Sequence, residues 1–168
     1  LYAITMITPT TGWISGAGGT LYKTTNGGNN WTLVPSGTPR VLRALHFRDE
    51  AHGWAVGDGG TVAATSDSGA SWSVWTFTDT LAFNGVAFSD SITGVMVGRY
   101  GRAYRTTNGG ALWTMQGIPT RSHLNTVAFH GRDSGWIAGD NGTVLRTING
   151  GRTWEATVSG TMVNLRAI

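Results

Sequence analysis

The chain has 168 residues, 40% of them hydrophobic and 12% charged, enough for one domain with a sizeable core. Its 26 glycines, 4 prolines and 8 tryptophans suit many short strands and tight turns anchored by large rings, and exclude a disordered chain. No stretch approaches the roughly 20 apolar residues of a membrane helix. The lack of cysteine excludes disulfides and thiolate metal sites, and a net charge of +3 is too mild to argue for nucleic acid.

Taken in chain order, the pattern repeats every 41 residues. Each unit opens on a short apolar segment (1–6, 42–47, 83–88, 124–129), predicted as a strand A buried on both faces. A polar turn leads to strand B, opened by Gly12, Gly53, Gly94 and Gly135 and closed by Gly16, Gly57, Gly98 and Gly139. A glycine-rich turn around Gly19, Gly60, Gly101 and Gly142 precedes strand C, residues 61–66 in the second unit. A second turn follows, and strand D is predicted to start at the tryptophan that ends it. Four short strands per unit, with turn signals every 8–12 residues, predict an all-β chain of propeller blades. A solenoid of parallel strands would need a shorter unit. The repeats run 1–41, 42–82, 83–123 and 124–164, with 165–168 in register to begin a further blade, all within a single propeller domain or segment. Four blades allow a partial propeller, a small ring, or a ring completed by further blades or another chain. The four residues beyond the last repeat read as part of something larger.

The C–D turn is the most specific motif. It runs Thr24, Asn26, Gly28, Trp31; Thr65, Asp67, Gly69, Trp72; Thr106, Asn108, Gly110, Trp113; and Thr147, Asn149, Gly151, Trp154. An Asn or Asp side chain accepts backbone N–H bonds across such a turn and tolerates the left-handed region, and glycine supplies positive φ. The tryptophan is expected to fold between blades, burying about 200 Å². These residues are assigned a structural role.

This turn resembles the Asp-box, or bacterial neuraminidase repeat. The wider units 53–61 with 65–72, and 135–143 with 147–154, are similar to the repeat of the photosystem II assembly and stability factor family. The resemblance covers the whole chain. It implies a seven-bladed propeller in the thylakoid lumen or bacterial periplasm, a non-catalytic scaffold for membrane-protein assembly. Three of the four turns carry Asn where the box usually has Asp, and similar repeats occur in many bacterial surface proteins.

In a propeller the B–C and D–A connections share one face and the A–B and C–D turns the other, so the Asp-box turns lie away from the usual ligand face. The variable positions then line the candidate face: 17–18, 58–59, 99–100 and 140–141 in the B–C turns; Arg40, Asp79, Arg121 and His123 in the D–A connections; and Tyr2, Arg43, Asn84, Asn125 and Arg166 in strand A. The third unit departs most, with Val95 for Trp, Arg99 for Asp and Arg102 for Thr around Tyr100. Guanidinium forks suit carboxylates, phosphates or an acidic protein surface. Arg99, Tyr100, Arg102, Arg43, Arg40 and Arg121 are the candidate partner-binding residues. A plainer reading makes them solvated turn residues.

Catalytic chemistry is not expected. Glu50 and Glu155 are the only glutamates and fall on or towards the wrong face for glycosidase work. Asp58 and Asp140 occupy equivalent turn positions, which reflects turn geometry. The histidines at 46, 52, 123 and 130 show no metal-ligand spacing, and no cofactor motif is present. The expectation is a non-catalytic scaffold binding a protein partner, plausibly a membrane-complex subunit, in the periplasm, thylakoid lumen or extracellular space, with no metal, cofactor or nucleic acid. A glycan-binding or glycoside-hydrolase-type Asp-box propeller is the alternative.

Overall fold

The computed structural model describes all of residues 1–168. It contains four antiparallel sheets of four strands, each with its strands in sequence order. Sheet one comprises β1 (Ala3–Met6), β2 (Gly12–Ser15), β3 (Leu21–Thr24) and β4 (Thr32–Val34). Sheet two comprises β5 (Leu42–Phe47), β6 (Gly53–Gly57), β7 (Thr61–Thr65) and β8 (Ser73–Thr76). Sheet three comprises β9 (Phe83–Phe88), β10 (Gly94–Gly98), β11 (Ala103–Thr106) and β12 (Thr114–Met115), and sheet four comprises β13 (Leu124–His130), β14 (Ser134–Gly139), β15 (Val144–Thr147) and β16 (Glu155–Thr157). The outermost strands start one residue later than the tryptophan signal predicts, at Thr32, Ser73, Thr114 and Glu155; in the last two sheets the preceding indole, Trp113 or Trp154, is buried.

The chain forms two compact units, Leu1–Phe83 and Asn84–Ile168. In the first, Leu21, Leu42, Ala55 and Ala63 are buried together, with Leu45, Trp72 and Val74 packed against them. In the second, Val95, Val97, Ala103, Leu124, Val127, Ile137, Leu145 and Trp154 form the core. Each core lies between the facing surfaces of two sheets, because strand alternation sends every second side chain to one neighbour.

The C–D turns explain this packing. Thr65 Oγ1 donates to Asp67 Oδ1 at 2.8 Å and accepts the Gly69 N–H at 2.9 Å. Asp67 Oδ1 also accepts the Ser71 N–H at 2.9 Å, and Ser71 Oγ donates to Asp67 Oδ2 at 2.6 Å. These bonds, led by the Ser71 hydroxyl, lower the Asp67 pKa to about 2. With Asn in place of Asp the same threonine and backbone bonds form in the other three turns. As expected, glycine supplies the positive φ, at the successor of the Asn or Asp (Gly27, Gly109 and Gly150, with Ser68 the one non-glycine) and at the glycine that follows it. Each successor's N–H also bonds the A–B turn of its own sheet, at Thr10, Ala51, Ile92 and Asp133. The two turns of that end are therefore tied together.

Gly69 is required by its neighbour. A Cβ there would strike the ring of Trp13 from the adjoining sheet. Trp13 stacks on Phe47 at 5.3 Å and meets the edge of Trp72 at 5.6 Å. In the second unit the smaller Val95 takes the Trp13 position, with Trp154 packed in its cluster. The indole N–H groups of Trp72, Trp113 and Trp154 are buried without an acceptor. Leaving a donor unpaired costs about 1–3 kcal/mol, whereas burying about 200 Å² of ring returns about 5 kcal/mol, so burial wins.

Trp113 is 7% exposed and sits edge-on to Phe88 at 5.7 Å, whereas Trp31 is only half-buried. Urea titration is expected to show Trp113→Ala losing about 3–5 kcal/mol and Trp31→Ala less than half of that. His46, on β5, is held neutral by burial, its pKa lowered to about 4. The unfolded chain therefore binds a proton that the folded chain refuses. This contribution to stability is complete above the ordinary histidine value near 6.5 and is lost as the pH falls towards 4. His46→Leu should flatten that part of the stability–pH curve.

Candidate functional site

The opposite end of each sheet is built from the B–C turn and the D–A connection. Asp58 N donates to Val41 O at 3.0 Å, Gly101 N to Ser122 O at 2.8 Å, and Asp140 N to His123 O at 2.8 Å. The B–C turns are single 3₁₀ turns, Ala17–Gly19, Asp58–Gly60 and Arg99–Gly101, whose central residues Gly18, Gly59 and Tyr100 are left-handed; Asn141 is left-handed at the same position in sheet four.

In the first unit the turn is electrically closed. Arg43, on β5, donates to both Asp58 oxygens, Nε to Oδ1 at 2.6 Å and Nη2 to Oδ2 at 3.2 Å. Its guanidinium also lies 5.5 Å from the centre of the Tyr2 ring. Arg40 is exposed, and its guanidinium rests over Gly59, where a Cβ would collide with it. Arg40 and Arg43 therefore share one turn, but Arg43 is already neutralised. In sheet four the equivalent pair is Asn125 and Asp140, bonded through Asn125 Nδ2 at 2.8 Å.

The third sheet breaks this scheme. Asn84 stands where Arg43 and Asn125 stand, but the acid opposite is replaced by Arg99. Asn84 Nδ2 instead donates to Leu124 O at 2.9 Å. Arg99 and Tyr100 are both exposed, Tyr100 at 61%. Tyr100 has φ 56°, ψ 39°, a conformation that disfavours a side chain. It is fixed by His123: Tyr100 N–H donates to His123 Nδ1 at 3.1 Å, and the two rings meet edge-on at 4.6 Å. A neutral His123 therefore carries its proton on Nε2. Exposed Arg121 lies in the connection that lines Gly101.

Of the residues singled out from sequence, Arg99, Tyr100 and Arg121 are gathered at one turn of the second unit. Arg102 turns elsewhere, its Nη1 2.7 Å from the Met115 sulfur on the outer strand. His123 was visible only as a variable connection residue; its grip on Tyr100 spans 23 residues and has no periodic signature. The left-handed Tyr100 could have been found, since it aligns with Gly18, Gly59 and Asn141.

The arrangement offers a guanidinium without a facing acid, a fixed aromatic ring and a second cation, a surface for carboxylates or acidic peptide. No group of three or more His, Asp or Glu side chains is placed to hold a metal.

Known proteins place this geometry in context. The family model of the photosynthesis system II assembly factor YCF48 matches residues 76–161, just over half the chain. Among solved structures, "YCF48 bound to D1 peptide" is 17% identical with a TM-score of 0.62, over 92% of this chain and 79% of that one. YCF48 from Cyanidioschyzon merolae is 20% identical with a TM-score of 0.74, over 98% of this chain and 59% of that one. An ancestral GH74 enzyme is 15% identical with a TM-score of 0.73, over 90% of this chain but 23% of its own length. The four sheets are thus blades of a β-propeller fold. No curated protein sequence matches the chain.

Replacing Tyr100 with glycine removes the left-handed strain, which costs about 1 kcal/mol, at the expense of one exposed ring contact. Thermal melting of Tyr100→Gly is expected at or above the wild-type temperature, whereas Gly101→Ala, which would collide with Thr120 O, should melt lower.

Proposed function

Because the chain belongs to the photosynthesis system II assembly factor YCF48 family, we propose that it is a non-catalytic propeller that binds an acidic peptide segment of a membrane-complex protein. In this reading it acts as an assembly or accessory factor on the periplasmic, thylakoid-lumenal or extracellular side. The observation that carries the reading is the third-sheet turn, where Arg99 faces no acid and Tyr100 is held in a strained, exposed conformation. Arg121 adds charge to the same turn, and Arg102 joins it by releasing Met115. Arg40 supplies a second, weaker station in the first unit, with Arg43 available to a ligand only when it exchanges Asp58. The family relative solved with a D1 peptide supports a peptide as the ligand class.

The carboxylates of the same end favour binding over catalysis. Asp58 is held by Arg43 and Asp140 by Asn125, so neither is free to act as a general acid or nucleophile without breaking its pair.

Fluorescence anisotropy with a labelled acidic peptide tests this. Arg99→Asp restores the acid of the neighbouring turns, so the fold should be unaffected and the melting temperature unchanged. Peptide affinity should fall at least about tenfold, or about 1.4 kcal/mol, and weaken with salt. Unchanged affinity would reject the site, and a specific neutral glycan ligand found on an array would favour a carbohydrate-binding role instead.

A further inference from the structure

Two of the four B–C turns put a side chain, not a glycine, at the left-handed centre: Tyr100 in sheet three and Asn141 in sheet four. Each is closed by a side-chain acceptor 23 residues further on. Tyr100 N–H donates to His123 Nδ1 at 3.1 Å, and Asn141 N–H to Asn164 Oδ1 at 3.1 Å. At the same spacing from Gly18 and Gly59 stand Val41 and Ala82, which have no side-chain acceptor to offer. The acceptor thus accompanies a side chain held in a conformation that L residues disfavour.

The two acceptors differ in one chemical respect. An amide oxygen accepts at any pH, whereas an imidazole Nδ1 accepts only while it is unprotonated. His123 also meets the Tyr100 ring edge-on at 4.6 Å, a ring contact that asparagine lacks. It is half-buried, so protons reach it. A proton on Nδ1 would face the Tyr100 N–H donor to donor, and the bond would be lost. The loss stays local, because Gly101 N–H still donates to Ser122 O at 2.8 Å and Arg102 N–H to Arg99 O at 3.1 Å. The charged groups around the ring are Arg99 beside Tyr100, Arg121 on its own connection, and Asp140, whose N–H donates to the His123 carbonyl at 2.8 Å. The Asp140 carboxylate is already held by Asn125, and Arg102 is turned away to Met115.

We propose that His123 is the positioning residue of the peptide site, presetting the Tyr100 ring only while it is neutral, so that the site loosens as His123 takes up a proton. This rests on the peptide-binding reading above and adds its regulation. A second effect opposes it, since a further cation attracts carboxylates. Exposed charges are screened over about 8 Å at physiological salt, and exposed ion pairs contribute little, so the loss of a preset ring prevails.

Fluorescence anisotropy with a labelled aspartate-rich peptide, whose carboxylates stay ionised throughout, tests this. It is run at about 0.15 M salt from about pH 8 to about pH 5, the range in which imidazoles change charge. Wild-type affinity should be full at the alkaline end and fall at least about threefold towards the acid end, the effect of losing one hydrogen bond. His123→Asn installs the acceptor of sheet four and should keep the alkaline affinity while losing the pH dependence. Its profile also corrects for any titration of the peptide and the other histidines. His123→Ala installs the residue of sheet two and should bind weakly at every pH. Without peptide, the Tyr100 amide signal in an NMR spectrum should titrate with the His123 ring in the wild type and stay fixed in His123→Asn. Undiminished affinity of His123→Ala, or a pH dependence that survives in His123→Asn, would overturn the proposal. So would tighter binding in acid that His123→Asn abolishes, since His123 would then be a cation touching the ligand. A titrating amide with no peptide binding at any pH would instead reject the peptide reading and leave the His123 latch standing.

Discussion

An indole wedged between two sheets is the interaction on which the rest depends. Trp72 reaches Trp13 and Phe47 only because Gly69 lets its turn close over the Trp13 ring, and the turn holds its shape through the Thr65 hydroxyl and the Asp67 carboxylate. Such a contact uses shape and buried area more than polarity. The unpaired indole N–H groups are the cost, and it is smaller than the gain from the buried ring. The same logic tolerates Val95 at the wedge position, because an aliphatic side chain against Trp154 still excludes water even though it fills less space.

With one end of each sheet committed to that wedge, the other end is free to vary. The C–D and A–B turns are tied to each other by backbone bonds and filled by threonine, Asx and indole. The B–C turns carry none of this load. Their side chains point outward from a 3₁₀ turn whose backbone is satisfied by the neighbouring connection. Replacing Asp58 by arginine at the equivalent position 99 therefore alters charge without touching a joint, and Asn84 finds a carbonyl in place of the missing acid. A neutral pair in sheet two, Arg43 with Asp58, becomes an unopposed cation in sheet three through two exchanges, to Asn84 and Arg99.

Periodicity made the strands legible. Glycine, threonine and tryptophan at fixed spacing describe the scaffold, and the sheets follow them to within a residue or two at the ends. What escaped were contacts that do not recur. His123 grips Tyr100 across a connection, in a pairing that sheet four makes with Asn141 and Asn164 instead. Arg102 stands at the entry to the third strand of its sheet, as Thr20, Thr61 and Thr143 do in theirs, yet its length carries the guanidinium to Met115 on the outer strand, a contact with no periodic signature.

Tyr100 joins these threads. A left-handed tyrosine costs about 1 kcal/mol, and an exposed ring touching one histidine edge recovers little of it. Glycine, found at the same position in the first two sheets, would serve the fold better. Strain that the scaffold does not need, held in place by a specific neighbour, is the mark of a side chain kept for what it meets outside the fold. The geometry also lowers the cost of meeting it. A ring already fixed by its backbone and by His123 has little rotamer freedom left to lose, so more of each contact with a ligand remains as affinity. Arg99 supplies attraction over distance beside it, and the tyrosine supplies a rigid surface at contact. The division of labour seen across the sheets, a shared frame and exchangeable turns, is repeated here within two adjacent residues.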